Sequence, residues 1–207
     1  MKEVTLIEKL ERSAAAGPQP AFSKYNILKT LEVMYSSGPL GRKKLSSTLH
    51  LGEGSTRTIM DHLQMASMIK KTRHGCELTS KGRLIAQKLA RKIAKQTQLS
   101  ENVLVAGRFA YGILVKDSAS KIRNGIEQRD AAIKAGAKSA TTIICKEGRL
   151  VMPPETELPP KEWDESLRMI QSKFEPQEND VIILSGADDL ILAELGARAG
   201  SWTLLQE

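Results

Sequence analysis

The sequence predicts an α+β protein with two domains. Between residues 22 and 97, short helices and one hairpin follow each other, whereas between residues 101 and 207 strand-like apolar runs alternate with helical patterns. The charge divides in the same way. Residues 1–100 contain 18 Lys+Arg and 7 Asp+Glu, a net charge of +11, and residues 101–207 contain 13 and 17, a net charge of −4. A basic half joined to a mildly acidic half is typical of a nucleic-acid-binding module attached to a domain with another task.

The composition argues against several other classes of protein. No apolar run approaches the ~18 residues of a membrane span, and the N-terminal segment carries acids and lacks the apolar core of a secretory signal. Cys76 and Cys145 lie in different segments without CxxC or Cys/His spacing. This usage fits a reducing cytoplasm and argues against a zinc site or a disulfide framework. We therefore expect a cytoplasmic protein with no metal ion and no cofactor.

The N-terminal domain is predicted to contain three helices and a hairpin. The first helix covers Phe22–Tyr35, and a second, short helix leads into the turn 51–54, where glycines tolerate positive φ. The third helix covers roughly Ser55–Ala66, with Ser55 and Thr56 as candidate N-cap residues.

Two short extended runs follow, Met68–Thr72 and Cys76–Thr79, with His74 and Gly75 at the corner between them. Helix, tight turn, helix and two-stranded hairpin, in this order, form the winged variant of the helix-turn-helix. The sequence therefore predicts a winged helix over residues 22–97.

The segment around the hairpin resembles the end of archaeal and bacterial winged-helix transcription regulators. Leu63–Ile69, a charged hairpin and then Leu78–Arg83 are similar to the pattern L-x-x-x-G-L-I followed by L-T-x-K-G-R, with Ser67 where that pattern usually has Gly. The resemblance covers about residues 22–96 and implies a DNA-binding regulator. The two-domain layout and the run Gln128–Ala137 also resemble an archaeal family that joins a winged helix to a C-terminal domain of unknown function.

The candidate DNA-binding residues lie on three elements of the N-terminal domain. They are Arg42, Lys43, Lys44, Ser55, Thr56, Arg57, Thr58, Lys70, Lys71, Arg73 and His74. The first three stand at the start of the second helix, where cations beside helix N–H groups favour phosphate. The next four open the presumed recognition helix, where Arg57 can bind guanine through two hydrogen bonds. The last four flank the corner of the hairpin, where we expect contacts with phosphates.

These assignments have alternatives. The cations of the second helix also fit a solvated basic face, and Arg57 can instead pair with Asp61 four residues later. The basic helix that begins at Ser80 either pairs with its mate from another subunit or packs only on its own domain. Residues 1–21 are predicted to be a frayed or docked arm with a linker over Ser13–Pro20, and a dimer-forming helix is the less favoured alternative.

The C-terminal domain is predicted to be a four-stranded sheet with helices on one face, and the polar run Gln96–Ser100 marks the boundary before it. The predicted elements are a strand or strand pair over 103–115, a helix from Ser118 to Ala135, a hairpin over 140–145 and 149–152, a helix over Trp163–Phe174, a buried strand over Asp180–Leu184 and a helix over Asp188–Leu205. This order matches a split β-α-β arrangement. If 103–115 contains two strands, a related fold of alternating strand pairs and helices fits equally well.

A ligand site is a weaker prediction for this domain. Ser185, Gly186 and Asp188 follow a buried strand and open a helix, whose N–H groups can receive an anion or a small polar ligand. The stronger interpretation is that Asp188 and Asp189 simply complement the positive N-terminal end of the helix dipole. Arg129 and Asp130 are either a ligand clamp or an ion pair. Because the sequence contains no HExxH, GxSxG or GxxxxGK[ST], we do not expect an enzyme.

The sequence therefore predicts a cytoplasmic, homodimeric transcription regulator that binds double-stranded DNA. Its C-terminal domain is expected to mediate dimerisation or to sense a small-molecule effector. Two alternatives remain open: a small-molecule enzyme with an accessory winged helix, and a winged helix used only for protein contacts. Salt-dependent binding to duplex DNA distinguishes the regulator from the protein-contact module.

Overall fold

The computed structural model describes residues 2–12, 22–154 and 160–206, so the predicted linker Ser13–Pro20 lies outside the described residues. The chain forms two compact units, residues 1–90 and residues 91–207. The division falls earlier than the predicted boundary at residues 97–101. The reason is that Ile93–Leu99 is a strand of the second unit and not a linker.

The helices and strands follow one another along the chain as follows. The first unit contains α1 (Lys2–Arg12), α2 (Lys24–Ser37), α3 (Arg42–Leu49), α4 (Glu53–Met65), β1 (Ile69–Thr72), β2 (Gly75–Leu78) and most of α5 (Ser80–Lys92). The second contains β3 (Ile93–Leu99), β4 (Phe109–Val115), α6 (Ile126–Lys134), β5 (Ser139–Lys146), β6 (Arg149–Val151), α7 (Asp164–Phe174), β7 (Val181–Ala187) and α8 (Leu190–Leu205). Short 3₁₀ turns lie at Ala119–Lys121 and Lys161–Trp163.

The core of the first unit is formed by the apolar faces of its helices. Leu31, Leu45, Ile59 and Leu63 are completely buried. Ile59 and Leu63 are four residues apart on α4, so they share one face of that helix. The same spacing leaves the opposite face of α4 exposed to solvent.

Helix α1 is docked on the first unit, which is one of the two alternatives predicted for the arm. Its Ile7 is completely buried, and the Leu10 carbonyl oxygen lies 2.8 Å from His62 Nδ1 of α4. Glu3 forms an ion pair with Lys88 of α5, with 2.6 Å between Oε1 and Nζ. These contacts tie α1 to two other helices.

Helix α4 begins at Glu53, so the predicted N-cap role of Ser55 and Thr56 is wrong. Gly52 has the extended backbone of an N-cap residue, with φ −61° and ψ 152°. Thr56 lies inside the first turn, where its buried hydroxyl donates to the Gly52 carbonyl oxygen at 3.1 Å. A threonine that bonds back to the preceding turn is compatible with a helix interior.

Ser67 follows α4 in the left-handed region, with φ 57°. A residue with a Cβ is strained in that region, whereas glycine is not. This conformation explains physically why the resembling pattern usually has Gly at this position.

The second unit is built on a five-stranded antiparallel sheet of order β3-β4-β7-β5-β6. Strands β4 and β5 are both antiparallel to β7, which lies between them, so β4 and β5 are parallel to each other and joined through α6. The predicted split β-α-β arrangement is thus confirmed. The predicted count of four strands is wrong, because Ile93–Leu99 forms the additional strand β3, although its residues from Gln96 onward are predicted to be a domain boundary.

Helices cover both faces of this sheet, not one as predicted. On one face, Phe174 of α7 packs in a cluster with Ile182 and Leu184 of β7. On the other face, Gly196 of α8 lies against the hydroxyl of Ser185. Successive side chains of a strand point to opposite faces, so the continuous apolar run of β7 is the expected signature of a strand covered on both sides.

Two further elements of the second unit differ from prediction. The apolar run 103–115 forms a strand only from Phe109, after Gly107 with φ 121°. The helix predicted from Ser118 to Ala135 is divided into a 3₁₀ turn and α6, with Gly125 at φ 75° before α6. Both breaks fall where a glycine supplies a backbone conformation that other residues rarely adopt.

Candidate nucleic-acid interface

The hairpin and the start of α3 are joined through the backbone. Leu40 and Cys76 exchange two hydrogen bonds, of 2.8 and 2.9 Å. At the corner of the hairpin, a Cβ added to Gly75 would lie 2.7 Å from the Leu40 carbonyl carbon, and φ at Gly75 is 120°. The corner of the hairpin therefore lies directly beside the residues that lead into α3.

The start of α3 is also joined to the start of α4. The Arg42 guanidinium lies 3.0 Å from the Glu53 carboxylate through both Nε and an Nη atom. Both side chains are about half exposed. Three elements that carry predicted DNA-binding residues thus converge at one end of the first unit.

Exposed cations surround this junction. Lys43 and Lys44 are exposed on α3, and Lys71 and Arg73 are exposed on the hairpin. Within the part of the chain that the structure describes, none of these four side chains has a carboxylate at ion-pair distance. We call Lys43, Lys44, Lys71 and Arg73 the open cations.

The other predicted cations have acidic partners. Lys70 Nζ lies 3.1 Å from Glu77 Oε1 across the hairpin. Arg57 Nε lies 3.8 Å from Asp61 Oδ2, one turn further along α4. The Arg57 side chain is 71% exposed, so this long, solvated pair leaves its guanidinium accessible.

The exposed face of α4 differs from the predicted set of base-reading residues. Thr56 is completely buried and cannot reach a base edge. Ser55 and Thr58 are half-buried, and the Thr58 hydroxyl donates to the Gly54 carbonyl oxygen at 3.2 Å. The exposed residues of α4 recur at helical spacing, on the face opposite the buried residues Ile59 and Leu63. They are Glu53, Gly54, Arg57, Asp61, Gln64 and Met65.

The corner of the hairpin is held by its own hydrogen bonds. The Thr72 hydroxyl donates to the Gly75 carbonyl oxygen at 2.9 Å and accepts from the His74 backbone N–H at 3.2 Å. Arg73 Nε lies 2.9 Å from His74 Nε2, and both side chains are exposed. Cys76, in contrast, is buried, and burial raises the pKa of its thiol, which makes it a structural residue.

Glu53 is a residue of this site that does not belong to the predicted set of DNA-binding residues. The signal was present, because an acid directly after Gly52 is favoured in the first turn of a helix. Its ion pair with Arg42 depends on how α3 packs against α4, and a local sequence pattern does not predict that packing.

The candidate ligand residues of the second unit do not form a common site. Ser185 and Gly186 are buried within β7 and do not open a helix as predicted. Arg129 and Asp130 pair with each other at 3.1 Å on the surface of α6. The clamp interpretation is therefore not supported, and the ion-pair interpretation fits the geometry.

The acids after β7 serve the start of α8. Asp189 Oδ1 accepts from the N–H groups of Ile191 and Leu192 at 2.7 and 3.2 Å, as an N-cap does. Asp188 forms an ion pair with Lys138, and this hydrogen bond lowers the pKa of the Asp188 carboxyl group. Asp188 and Asp189 thus complement the helix and a neighbouring lysine.

Among the described residues, no three His, Cys, Asp or Glu side chains are grouped so that they could hold a metal ion. No helix among them is long and apolar enough to cross a membrane.

Comparisons with known proteins agree with this division of the chain. Residues 22–93 match the model of the CggR N-terminal DNA binding domain. Residues 104–204 match a domain of unknown function, DUF4443. The chain is also similar to the solved structure of a hypothetical protein from Pyrococcus horikoshii OT3, with 27% sequence identity, a TM-score of 0.69, and coverage of 88% of this chain and 92% of the other. No curated protein matches the sequence.

Proposed function

We propose that this chain is a DNA-binding transcription regulator whose first unit acts as a winged helix. The observation that carries the proposal is that the open cations lie on α3 and the hairpin, in a segment that matches a DNA-binding domain model. These two elements are joined through Leu40 and Cys76, and α3 is joined to the start of α4 through Arg42 and Glu53. Cations at a helix start and on a hairpin suit the regularly spaced phosphates of a duplex.

In this proposal the two kinds of contact are divided between elements. Helix α4 enters the major groove with the face that contains Arg57, while α3 and the hairpin lie on the phosphate backbone. Helix α4 itself contains Glu53, Arg57 and Asp61, a formal net charge of −1. Affinity would thus come mainly from the flanking cations, and α4 would contribute discrimination between bases.

We assign the second unit to self-association, so that two copies of α4 can read half-sites about one helical turn apart. Supporting this, partly exposed apolar side chains occur on α6 and α8. Ile133 is 43% exposed and Leu192 is 39% exposed. A Cβ at Gly136, two residues after α6, would lie 3.0 Å from Leu192 Cδ2, so the end of α6 lies beside Leu192. Effector sensing and a cytoplasmic location are further parts of the proposal, and we assign no catalytic activity.

The test of DNA binding is its dependence on salt. We would measure the affinity of the full chain for random duplex DNA between 50 and 300 mM salt, for the wild type and for a variant with the four open cations changed to Ala. Each phosphate contact that is lost should reduce the slope of log affinity against log salt by ~0.9.

The matched control changes four exposed lysines far from the junction in sequence. They are Lys2, Lys9, Lys134 and Lys161. It has the same net charge as the test variant but should keep the wild-type slope. If both variants reduce the slope equally relative to the wild type, the overall charge of the protein, and not this surface, attracts DNA. Absence of salt-dependent duplex binding in the wild type would favour the protein-contact alternative.

Self-association needs a separate measurement. Sedimentation of the full chain at micromolar concentration should give a dimer, and the pair of changes Ile133→Glu and Leu192→Glu should give a monomer because it places charges on the apolar surface. A wild-type monomer under these conditions would contradict this part of the proposal without affecting DNA binding by a single unit.

A further inference from the structure

A groove of about 420 Å³ lies in the second unit, beside the 3₁₀ turn Ala119–Lys121, and its lining residues differ from the predicted ligand-binding residues. This volume falls in the range of roughly 300–1,000 Å³ that is usual for small-molecule sites. The groove is bounded by the residues after the 3₁₀ turn, the end of β5, the residues after β6 and the turn before β7.

The walls of the groove are fixed by backbone hydrogen bonds that meet at Asn179. Its carbonyl oxygen accepts from the N–H groups of Ser118 and Ala119 at 2.9 and 3.0 Å, and its own N–H donates to the Cys145 carbonyl oxygen at 2.9 Å. The 3₁₀ turn, β5 and the turn before β7 are thus held together without a ligand. A site that is formed in advance loses less conformational entropy when a ligand binds.

The chemistry of the lining is divided between an apolar part and a charged part. Ile122, Ile144 and Pro153 contribute apolar surface, and Ile144 is buried. The charged side chains are Arg123, Lys146 and Glu178. One arginine, one lysine and one glutamate give the lining a formal net charge of +1. The Glu178 carboxylate is also bound to the protein backbone, because its Oε2 accepts from the Glu147 N–H at 2.8 Å.

We propose that this groove binds a small organic monoanion, with a carboxylate beside Arg123 and an apolar body against Ile122 and Ile144. A guanidinium group suits a carboxylate because it can donate two parallel hydrogen bonds. The single excess positive charge matches one negative charge, and the apolar surface favours a hydrocarbon body over an inorganic anion. This inference does not depend on DNA binding, since it concerns only residues of the second unit.

The probe is sodium benzoate, which combines an apolar ring with one carboxylate. We would titrate it into the ¹⁵N-labelled full chain and follow amide shifts by NMR. Saturable shifts at Ile122, Arg123, Ile144 and Asn179 are expected, with a dissociation constant on the order of 1 mM for so small a ligand. Benzamide, which has the same ring without the charge, should bind at least ten-fold more weakly, and so should acetate, which has the charge without the ring.

Two variants and a control assign the binding to the groove. Arg123→Gln should weaken benzoate binding at least ten-fold, whereas Arg129→Gln, an equal charge change on α6, should leave it unchanged. Ile122→Ser tests the apolar part and should also weaken binding, so the proposal stays testable if one variant fails to fold. The proposal is overturned by the absence of saturable shifts up to 20 mM benzoate. It is also overturned by shifts centred elsewhere, by equal effects of Arg123→Gln and Arg129→Gln, or by equal affinities for benzoate, benzamide and acetate.

Discussion

The two units of this chain use their charged side chains differently. Residues 1–90 contain 15 Lys+Arg and 7 Asp+Glu, a net charge of +8, whereas residues 91–207 contain 16 and 17, a net charge of −1. The first unit places exposed cations at the ends of short elements. The second unit buries Asp180 and Arg198 among its strands and helices. The first unit thus presents charge to solvent, and the second buries charged groups within its own core.

The structural boundary also changes how the charge of the second unit is interpreted. Arg91, Lys92 and Lys95 belong to this unit, so the unit is nearly neutral and not mildly acidic as residues 101–207 are. Repulsion from DNA therefore cannot by itself explain a separate task for it. A stronger reason to expect a separate task is that the second unit has a hydrophobic core formed by its own residues.

The largest expected effect concerns β3, which tests where the second unit begins. Arg198 Nη2 donates to Gln96 Oε1 of β3 at 2.8 Å, and Leu99 is buried. A fragment of residues 91–207 should unfold cooperatively on heating. A fragment of residues 101–207 should be destabilised by several kcal/mol, since it loses an edge strand and buried apolar surface.

Substitutions in the full chain separate this effect from truncation. Leu99→Ala should cost about 2–4 kcal/mol of unfolding free energy, whereas Gln98→Ala, at an exposed position of the same strand, should cost less than about 0.5 kcal/mol. Denaturant titration gives both values. Equal stability of the two fragments would show that β3 is an appendage and not part of the core.

A second prediction tests the packing of the first unit through Gly82. A Cβ at this position of α5 would collide with the Met68 carbonyl oxygen and lie 2.9 Å from the Met68 carbonyl carbon. Gly82→Ala should therefore destabilise the chain by about 1–3 kcal/mol, because backbone atoms must move. Gly54→Ala is the matched control: Gly54 is also helical, and apart from its chain neighbours and its own helix backbone no atom lies within 4 Å of the added Cβ. It should be neutral or slightly stabilising.

In the first unit, the order of the elements could be predicted from the sequence, but the exact start of a helix could not. Helix and hairpin order followed from local signals around Gly52 and Gly75, and the structure has those elements. The start of α4 was placed late, because Ser55 and Thr56 carry N-cap chemistry although Gly52 takes that position. Local patterns do not state which of several adjacent candidates begins a helix.

The second unit was harder to predict because its arrangement depends on contacts between distant residues. The strand β3 has buried apolar residues only at its two ends, Ile93 and Leu99, so it lacks the alternation that marks a strand. Ser185 and Gly186 follow an apolar run and are predicted to lie between a strand and a helix, yet pairing with Tyr111 and Ala110 extends β7 through them. The groove near Asn179 is bounded by four separate segments of the chain, so no local sequence pattern marks it.

A third prediction concerns the proposed division between base contacts and phosphate contacts within the first unit. Arg57→Ala should reduce discrimination between a selected site and random DNA by about 1–3 kcal/mol, because the proposed contact of Arg57 with a base would be lost. Affinity for random DNA should change little. Competition binding with selected and random duplexes measures both quantities. If both affinities fall equally, Arg57 contacts phosphate; if neither changes, its pair with Asp61 is its only role.

A fourth prediction concerns the strained turn after α4. Ser67→Gly should stabilise the chain by up to about 1 kcal/mol, because glycine relieves the left-handed backbone at φ 57°. The gain is reduced by the greater flexibility of glycine in the unfolded chain. Ser47→Gly, at an exposed position within α3, should instead destabilise by about 0.5–1 kcal/mol. Thermal unfolding of both variants would test the contrast, and destabilisation by Ser67→Gly would show that its side chain has a role that the turn geometry does not explain.

The smallest effect concerns the ion pair that ties α1 to α5 in the basic unit. The hydrogen bond from Lys88 lowers the pKa of the Glu3 carboxyl group. A carboxyl group with a lowered pKa in the folded state adds stability above its unfolded pKa, and this stability is lost as the pH falls through the folded pKa. Lys88 is 49% exposed, so solvent screens the pair and its contribution should be a few tenths of a kcal/mol.

The measurement is the difference in unfolding free energy between the wild type and Glu3→Gln from pH 7 to pH 3. It should be largest at pH 7 and shrink below about pH 4, as the Glu3 carboxylate of the wild type becomes protonated. In a Lys88→Met background the same substitution should show a much smaller pH-dependent difference, because the partner that lowers the pKa is gone. A pH-dependent loss of equal size in both backgrounds would assign it to another group. The docking of α1 would then rest on its apolar contacts, such as that of the buried Ile7, and not on charge.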